Sequence, residues 1–185
     1  YMDFIPNTQT SFSKLIKQVL QHPTVSSKRY LTNKVDRSVT GLVSQQQEVG
    51  PLLVPISDYA SSALDYFTKK GTVTSVAERP ILSLLSPEAM ASLTLGELLT
   101  NIMTAKITSI NDIKISTNWM WPLKQKGAKT KLYEAMSSLT SLLTKLNIAA
   151  DGGKDSLSMM TKTKDNTTIY SPPTLVLTAY TTTDN

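Results

Sequence analysis

Apolar residues at Phe12, Leu15, Ile16, Val19 and Leu20 recur at helical spacing and predict an amphipathic helix that Pro23 ends. An extended lead-in is expected before it, over residues 1–8. Residues 28–43 are rich in β-branched side chains with a polar centre, and read as strand, turn, strand. Leu52, Leu53, Val54 and Ile56 sit between Pro51 and Pro55 and read as extended. Asp58 is a good N-cap residue, and Ala60, Ala63, Leu64 and Phe67 then fall on a helical stripe with Gly71 as its left-handed stop. Thr72 to Val76 reads as a strand.

Ser86-Pro87-Glu88 has the chemistry of a helix start, and Met90, Leu93, Leu98, Ile102 and Met103 supply the apolar residues of that helix. Residues 110–121 read as a strand running into a loop. The clearest helix covers about 129–147, where Leu132, Ala135, Met136, Leu139, Leu142, Leu143 and Leu146 line one face. A turn is expected at Asp151-Gly152-Gly153, then strands at 156–164 and 174–183. Helices and strands are mixed without strict alternation. The expected fold is therefore α+β, a mixed sheet with helices packed on one face. Residues 1–25 form a lead-in plus helix, and 26–185 form one domain.

Composition removes several chemistries. The chain of 185 residues has no Cys and a single His, His22. Disulfides, thiol catalysis and Cys-ligated metals are excluded, and a His-rich metal site is impossible. No apolar run approaches the ~18 residues of a membrane span. The net charge of +5 is a mild excess, and the aromatic residues do not interleave with basic ones as a nucleic-acid platform requires. The densest basic stretch, Lys124, Lys126, Lys129 and Lys131, reads as a solvated loop and helix start. The start at Tyr1 and the stop directly after a strand pattern lead us to expect a piece of a longer polypeptide.

Four groups could carry chemistry. Asp58 with Glu97 and Asn101 offers two carboxylates and an amide, hard oxygen ligands suited to Mg²⁺ that also touches phosphates, and Glu97 and Asn101 share a helix face. The bland alternative is a cap and two surface residues. Lys28, together with the stretch Asp36 to Gly41, could meet a phosphate, or could be a solvent-facing lysine and a turn. Gly152, Gly153, Lys154 and Ser156 could form an anion-holding loop, although the spacing is not that of a P-loop, and a tight turn is the simpler reading. Trp119 and Trp121 could wall a ligand, but such a pair more often covers a core or an interface.

Six segments in order resemble one family: LTNKVDRSVTGLVSQQQEVGP (31–51), PISDYA (55–60), GELLTNI (96–102), STNWMW (116–121), DGGKDSLSM (151–159) and SPPTLVLTAY (171–180). They are similar to the large, single-chain, eukaryote-like phosphoribosylformylglycinamidine synthases. The resemblance implies the N-terminal, barrel-forming subdomain of the second aminoimidazole-ribonucleotide-synthetase-like copy in that enzyme. It implies a fragment of a cytoplasmic, ATP- and glutamine-dependent ligase of purine biosynthesis, inactive alone. It implies that Lys28 and Ser57 contact a nucleotide, and that Asp58, Glu97 and Asn101 ligate Mg²⁺ at an auxiliary ATP/ADP site. No catalytic residue is implied here. The partners implied are the remaining synthetase and glutaminase domains, with self-association of the isolated piece. Neither nucleic acid nor membrane is implied. Alternatives are a non-catalytic relative of virus type and a free-standing synthetase-like protein. Two positions depart from the family: Ala77-Glu78-Arg79-Pro80 occupies the place of a GEQP-like run, and QQQEVGP that of QQQCVGP, neither at an implied ligand position.

Overall fold

A computed structural model describes residues 10–23, 25–27, 41–45, 51–52 and 58–184. A six-stranded mixed sheet runs β1-β2-β3-β8-β4-β5. Its strands are β1 (Leu42–Gln45), β2 (Tyr59–Ala63), β3 (Lys70–Glu78), β4 (Lys114–Met120), β5 (Ala149–Ser156) and β8 (Thr174–Asp184). Among the described residues of this sheet, only the β4–β5 pairing is parallel. A two-stranded ribbon of β6 (Met160–Lys162) and β7 (Thr168–Tyr170) interrupts the chain before β8.

The central strand β8 alternates as its sequence predicts. Leu175, Leu177 and Ala179 are fully buried, while Val176, Thr178 and Tyr180 face the other way. On the covered face they join Val73 and Ala77 from β3 and Ile115 and Trp119 from β4. Two helices close this core. Helix α2 (Pro87–Ile102) contributes Met90, Ala91, Leu95, Leu98 and Ile102, and α3 (Ala128–Leu146) contributes Ala135, Leu139 and Leu143. The start of α2 is built as its sequence implies: the Ser86 hydroxyl accepts from the Ala89 amide at 3.0 Å, and Pro87 occupies the first turn. Trp121 is fully buried, and its indole N–H donates to the Ala128 carbonyl at 2.8 Å, tying the end of β4 to the start of α3. Among the described residues, no helix covers the opposite sheet face, with Thr74, Val76, Ser116, Asn118, Val176 and Thr178.

Helix α1 (Phe12–Gln21) forms where the periodicity places it, but it buries none of its residues. Several local expectations are corrected. Asp58 caps no helix, because residues 59–63 form strand β2. The stripe of Ala60, Ala63, Leu64 and Phe67 was a coincidence of spacing in a short segment, and Leu64 and Phe67 are exposed. Gly71 is not a left-handed stop but lies inside β3, where a Cβ would meet the Ser62 carbonyl oxygen at 2.8 Å. Asp151-Gly152-Gly153 is not a turn, because it lies within β5. The strand expected over 156–164 is correspondingly split between the end of β5 and β6. The expectations for 1–8, for most of 28–43, and for 53–56 lie outside the described residues.

Candidate functional site

Two of the three expected metal ligands, Glu97 and Asn101, reach the end of β3, and the chain at Asp58 runs beside it. Asp58 directly precedes Tyr59, whose partner on β3 is Ser75, so the antiparallel register carries Asp58 to the level of Val76. From α2, the Asn101 side-chain amide donates to the Val76 carbonyl at 3.1 Å. With its nitrogen committed there, its oxygen is the atom left for a ligand. The Ser75 hydroxyl donates to the Leu98 carbonyl at 3.3 Å, a further tie between the last turns of α2 and this part of β3.

Glu97 stands one helical turn before Asn101, on the flank of the buried face of α2. Its Oε2 lies 2.8 Å from the Arg79 Nε, just beyond the end of β3. The same oxygen is buried and receives no aligned hydrogen bond. The pair is thus a close charge contact whose N–H does not point along the oxygen lone pair. A buried carboxylate oxygen with unused acceptor capacity is what a hard cation seeks.

Among the described residues, no group of three or more His, Cys, Asp or Glu side chains could hold a metal by itself. Two carboxylates and an amide form a partial set. This suits Mg²⁺, which usually keeps water and takes ligands from a bound phosphate. Lys28 and Ser57 lie outside the described residues.

The glycine stretch behaves differently from the expected loop. Gly152 and Gly153 pair with Ser116 and Thr117 in the parallel β4–β5 ladder, and Lys154 pairs with Asn118. An extended strand sends successive N–H groups to opposite sides, so it makes no anion cradle. Gly153 is needed for close approach instead: a Cβ there would meet the Thr117 Oγ1 at 2.9 Å and its carbonyl oxygen at 3.1 Å. The Lys154 ammonium donates to the Ser156 hydroxyl at 2.6 Å. Between Ala150 and Gly152 the register slips, leaving Asp151 unpaired in the ladder, and its carboxylate accepts from the Tyr180 hydroxyl. That bond raises the Tyr180 phenol above its ordinary value.

Trp119 and Trp121 settle into the core, with ring centroids 6.0 Å apart and planes tilted by 59°. Neither borders the cavity described next. A cavity of about 450 Å³ is lined by Tyr59, Ala63, Lys70, Val73, Lys106 and Thr183, among others, and none of the three expected metal ligands borders it. Arg79 is the residue that sequence reasoning missed as part of the site. It was visible only as a departure from a motif, and its contact with Glu97 spans a turn and most of α2.

Comparison with known proteins bears on the family and the fold. The family described as "FGAR-AT PurM_N-like domain" matches residues 27–182. A phosphoribosylformylglycinamidine synthase of Dictyostelium discoideum is 51% identical over 154 residues, covering 83% of this chain and 11% of its own length. Among solved structures, PurLQS from Thermotoga maritima has a TM-score of 0.53 at 17% identity, covering 76% of this chain and 25% of that one. T. maritima PurL complexed with ADP has a TM-score of 0.50 at 14% identity, covering 80% and 26%. At these identities the two structures speak for the fold alone. The chain spans about a tenth of the curated relatives it matches, 11% to 13% of their length. The profile match over most of the chain, with half of the residues identical to a named synthase and the fold in agreement, places the chain in the FGAR-AT PurM_N-like domain family.

Proposed function

We propose that this chain is one synthetase-like subdomain of a phosphoribosylformylglycinamidine synthase, carrying part of an auxiliary Mg²⁺–nucleotide site. Its curated relatives bear that name and are far longer, so the ligase activity belongs to the whole protein. The observation that carries the reading is the convergence on one end of β3. Asp58 arrives from β2, and Glu97 and Asn101 arrive from α2, with an acceptor oxygen of Glu97 buried and without a hydrogen bond.

Asp58, Glu97 and Asn101 would hold Mg²⁺, and the ion would neutralise the phosphates of ADP or ATP. Lys28 and Ser57 would contact the nucleotide, an assignment that rests on the family resemblance. The solved structure of T. maritima PurL complexed with ADP supports a nucleotide site on this fold. The helix-free face of the sheet would meet the companion synthetase-like copy of the parent. The isolated chain would use it to self-associate, and would not turn over substrate.

Calorimetric titration of Mg·ADP tests the reading. Binding that requires Mg²⁺ and disappears in Asp58→Ala is expected. Binding that is indifferent to both Mg²⁺ and Asp58→Ala would remove this site.

A further inference from the structure

The Arg79–Glu97 contact bears on how the proposed site chooses its ligand, and the inference below rests on that site. Arg79 sits at the junction between the last residue of β3 and the short 3-10 turn Pro80–Leu84. Pro80 restricts the backbone on both sides of the junction. The fold therefore delivers a permanent cation to the flank of α2. Its Nε is 2.8 Å from the Glu97 Oε2, and the side chains of Arg79 and Glu97 are 51% and 28% exposed.

Glu97 cannot serve two cations equally. A Mg²⁺ ion bonded to that carboxylate at ~2.0–2.1 Å repels a guanidinium held at contact distance from the same oxygen. Arg79 must swing away when the metal enters. Its half-exposed side chain can move, whereas Asn101 is tied to β3 through Val76. The cost of that movement depends on what the guanidinium meets next. Free Mg²⁺ offers it only water. Mg²⁺ carrying a nucleoside diphosphate offers it phosphate oxygens, which a guanidinium binds in bidentate fashion.

We propose that Arg79 is a displaceable counter-cation of Glu97 that discriminates Mg·nucleotide from free Mg²⁺. In the empty site it neutralises the carboxylate and disfavours the bare ion. In the loaded site it pairs with the nucleotide's phosphates.

The test uses the 185-residue chain and two probes. Mn²⁺ alone is titrated by paramagnetic resonance, which counts free ion, and Mg·ADP is titrated by calorimetry. Arg79→Gln should bind Mn²⁺ roughly two- to fivefold more tightly, the range set by a partly exposed ion pair. The same variant should bind Mg·ADP more weakly, by a factor of about five or more, for loss of a charge-assisted phosphate contact. Arg79→Lys keeps the charge and should lie between the two for both probes. The opposite signs are the signature. Equal shifts in one direction, or no shift for either probe, would overturn the proposal while leaving the site standing. Loss of neither ligand in Glu97→Gln would instead overturn the site. Matching unfolding midpoints for the variants and the parent chain show that the comparison is between folded proteins; should Arg79→Gln fail to fold, the Arg79→Lys shifts decide.

Discussion

Replacing each glycine of the Gly152-Gly153 pair by alanine separates a strand from a turn at this sequence. In the parallel ladder, Gly153 lies opposite Thr117. An added Cβ would meet the Thr117 Oγ1 at 2.9 Å and its carbonyl oxygen at 3.1 Å. The hydroxyl can rotate away, but the carbonyl is backbone and the strands must part. Overpacking of this kind costs about 1–3 kcal/mol. Alanine returns about 0.4–1 kcal/mol by restricting the unfolded chain. The net expectation for Gly153→Ala is a loss of roughly 0.5–2 kcal/mol. The lower half of that range is favoured, since β5 is an edge strand and can shift.

Gly152 is the internal control. A Cβ there would meet only the Ser116 Oγ at 3.5 Å and Cβ at 3.8 Å, ordinary contact. Neither glycine has a positive φ. Gly152→Ala should therefore be neutral, or stabilising by up to ~1 kcal/mol. Urea unfolding followed by far-UV circular dichroism reads both. With a slope of about 1–3 kcal/mol per molar, a loss of ~1 kcal/mol in Gly153→Ala lowers the midpoint by roughly 0.3–1 M. The reasoning fails if Gly153→Ala matches the parent chain, or if Gly152→Ala is the worse of the two.

Other outcomes follow from the same contacts. Trp121→Ala should cost about 3–5 kcal/mol, and Trp121→Phe about 1–3, the latter through the lost indole bond to Ala128 and the smaller ring; a Trp121→Phe variant as stable in urea as the parent chain would deny the hydrogen bond a role. At the tip between β2 and β3, the Asp65 carboxylate accepts from the Thr68 amide, the Phe67 amide and the Thr68 hydroxyl, which hold its pKa below the usual value. Because the folded value lies below the unfolded one of about 3.9, its stabilisation is complete above that pH and fades as pH falls through the folded value. The protection factors of the Phe67 and Thr68 amides, taken relative to intrinsic exchange at each pH, should fall only in that acidic range, and loss of protection near neutral pH would contradict the turn. Thr178 lies at the centre of the helix-free sheet face, between Val76 and Ser116, so Thr178→Lys should dissociate self-associated chain in light scattering without lowering its unfolding midpoint; association that survives the change would point to another surface.

Long periodic segments were legible in the sequence. Helix α3 and strand β8 follow their apolar spacing closely, because each buries one face against a single core. Short segments were not. Residues 59–63 carry too few large apolar side chains to set a period, and their strand exists because β3 offers a ladder. Residues 149–156 have no apolar pattern, and long-range pairing with β4 decides their form. The site was legible in part. Glu97 and Asn101 are neighbours on any helix, but their approach to Asp58 depends on sheet register. The Arg79 contact depends on how α2 lies against β3, which local spacing does not encode.

The central claim is that a divalent cation binds at the end of β3, between Asp58 and α2. Paramagnetic broadening by Mn²⁺ in a ¹⁵N-labelled sample tests it most directly. Sub-stoichiometric Mn²⁺ with ADP should broaden the amides of Tyr59, Val76, Glu97 and Asn101 first, and excess Mg²⁺ should restore them. Broadening centred on Lys154 and the edge strand β5, or spread evenly over surface carboxylates, would contradict the account.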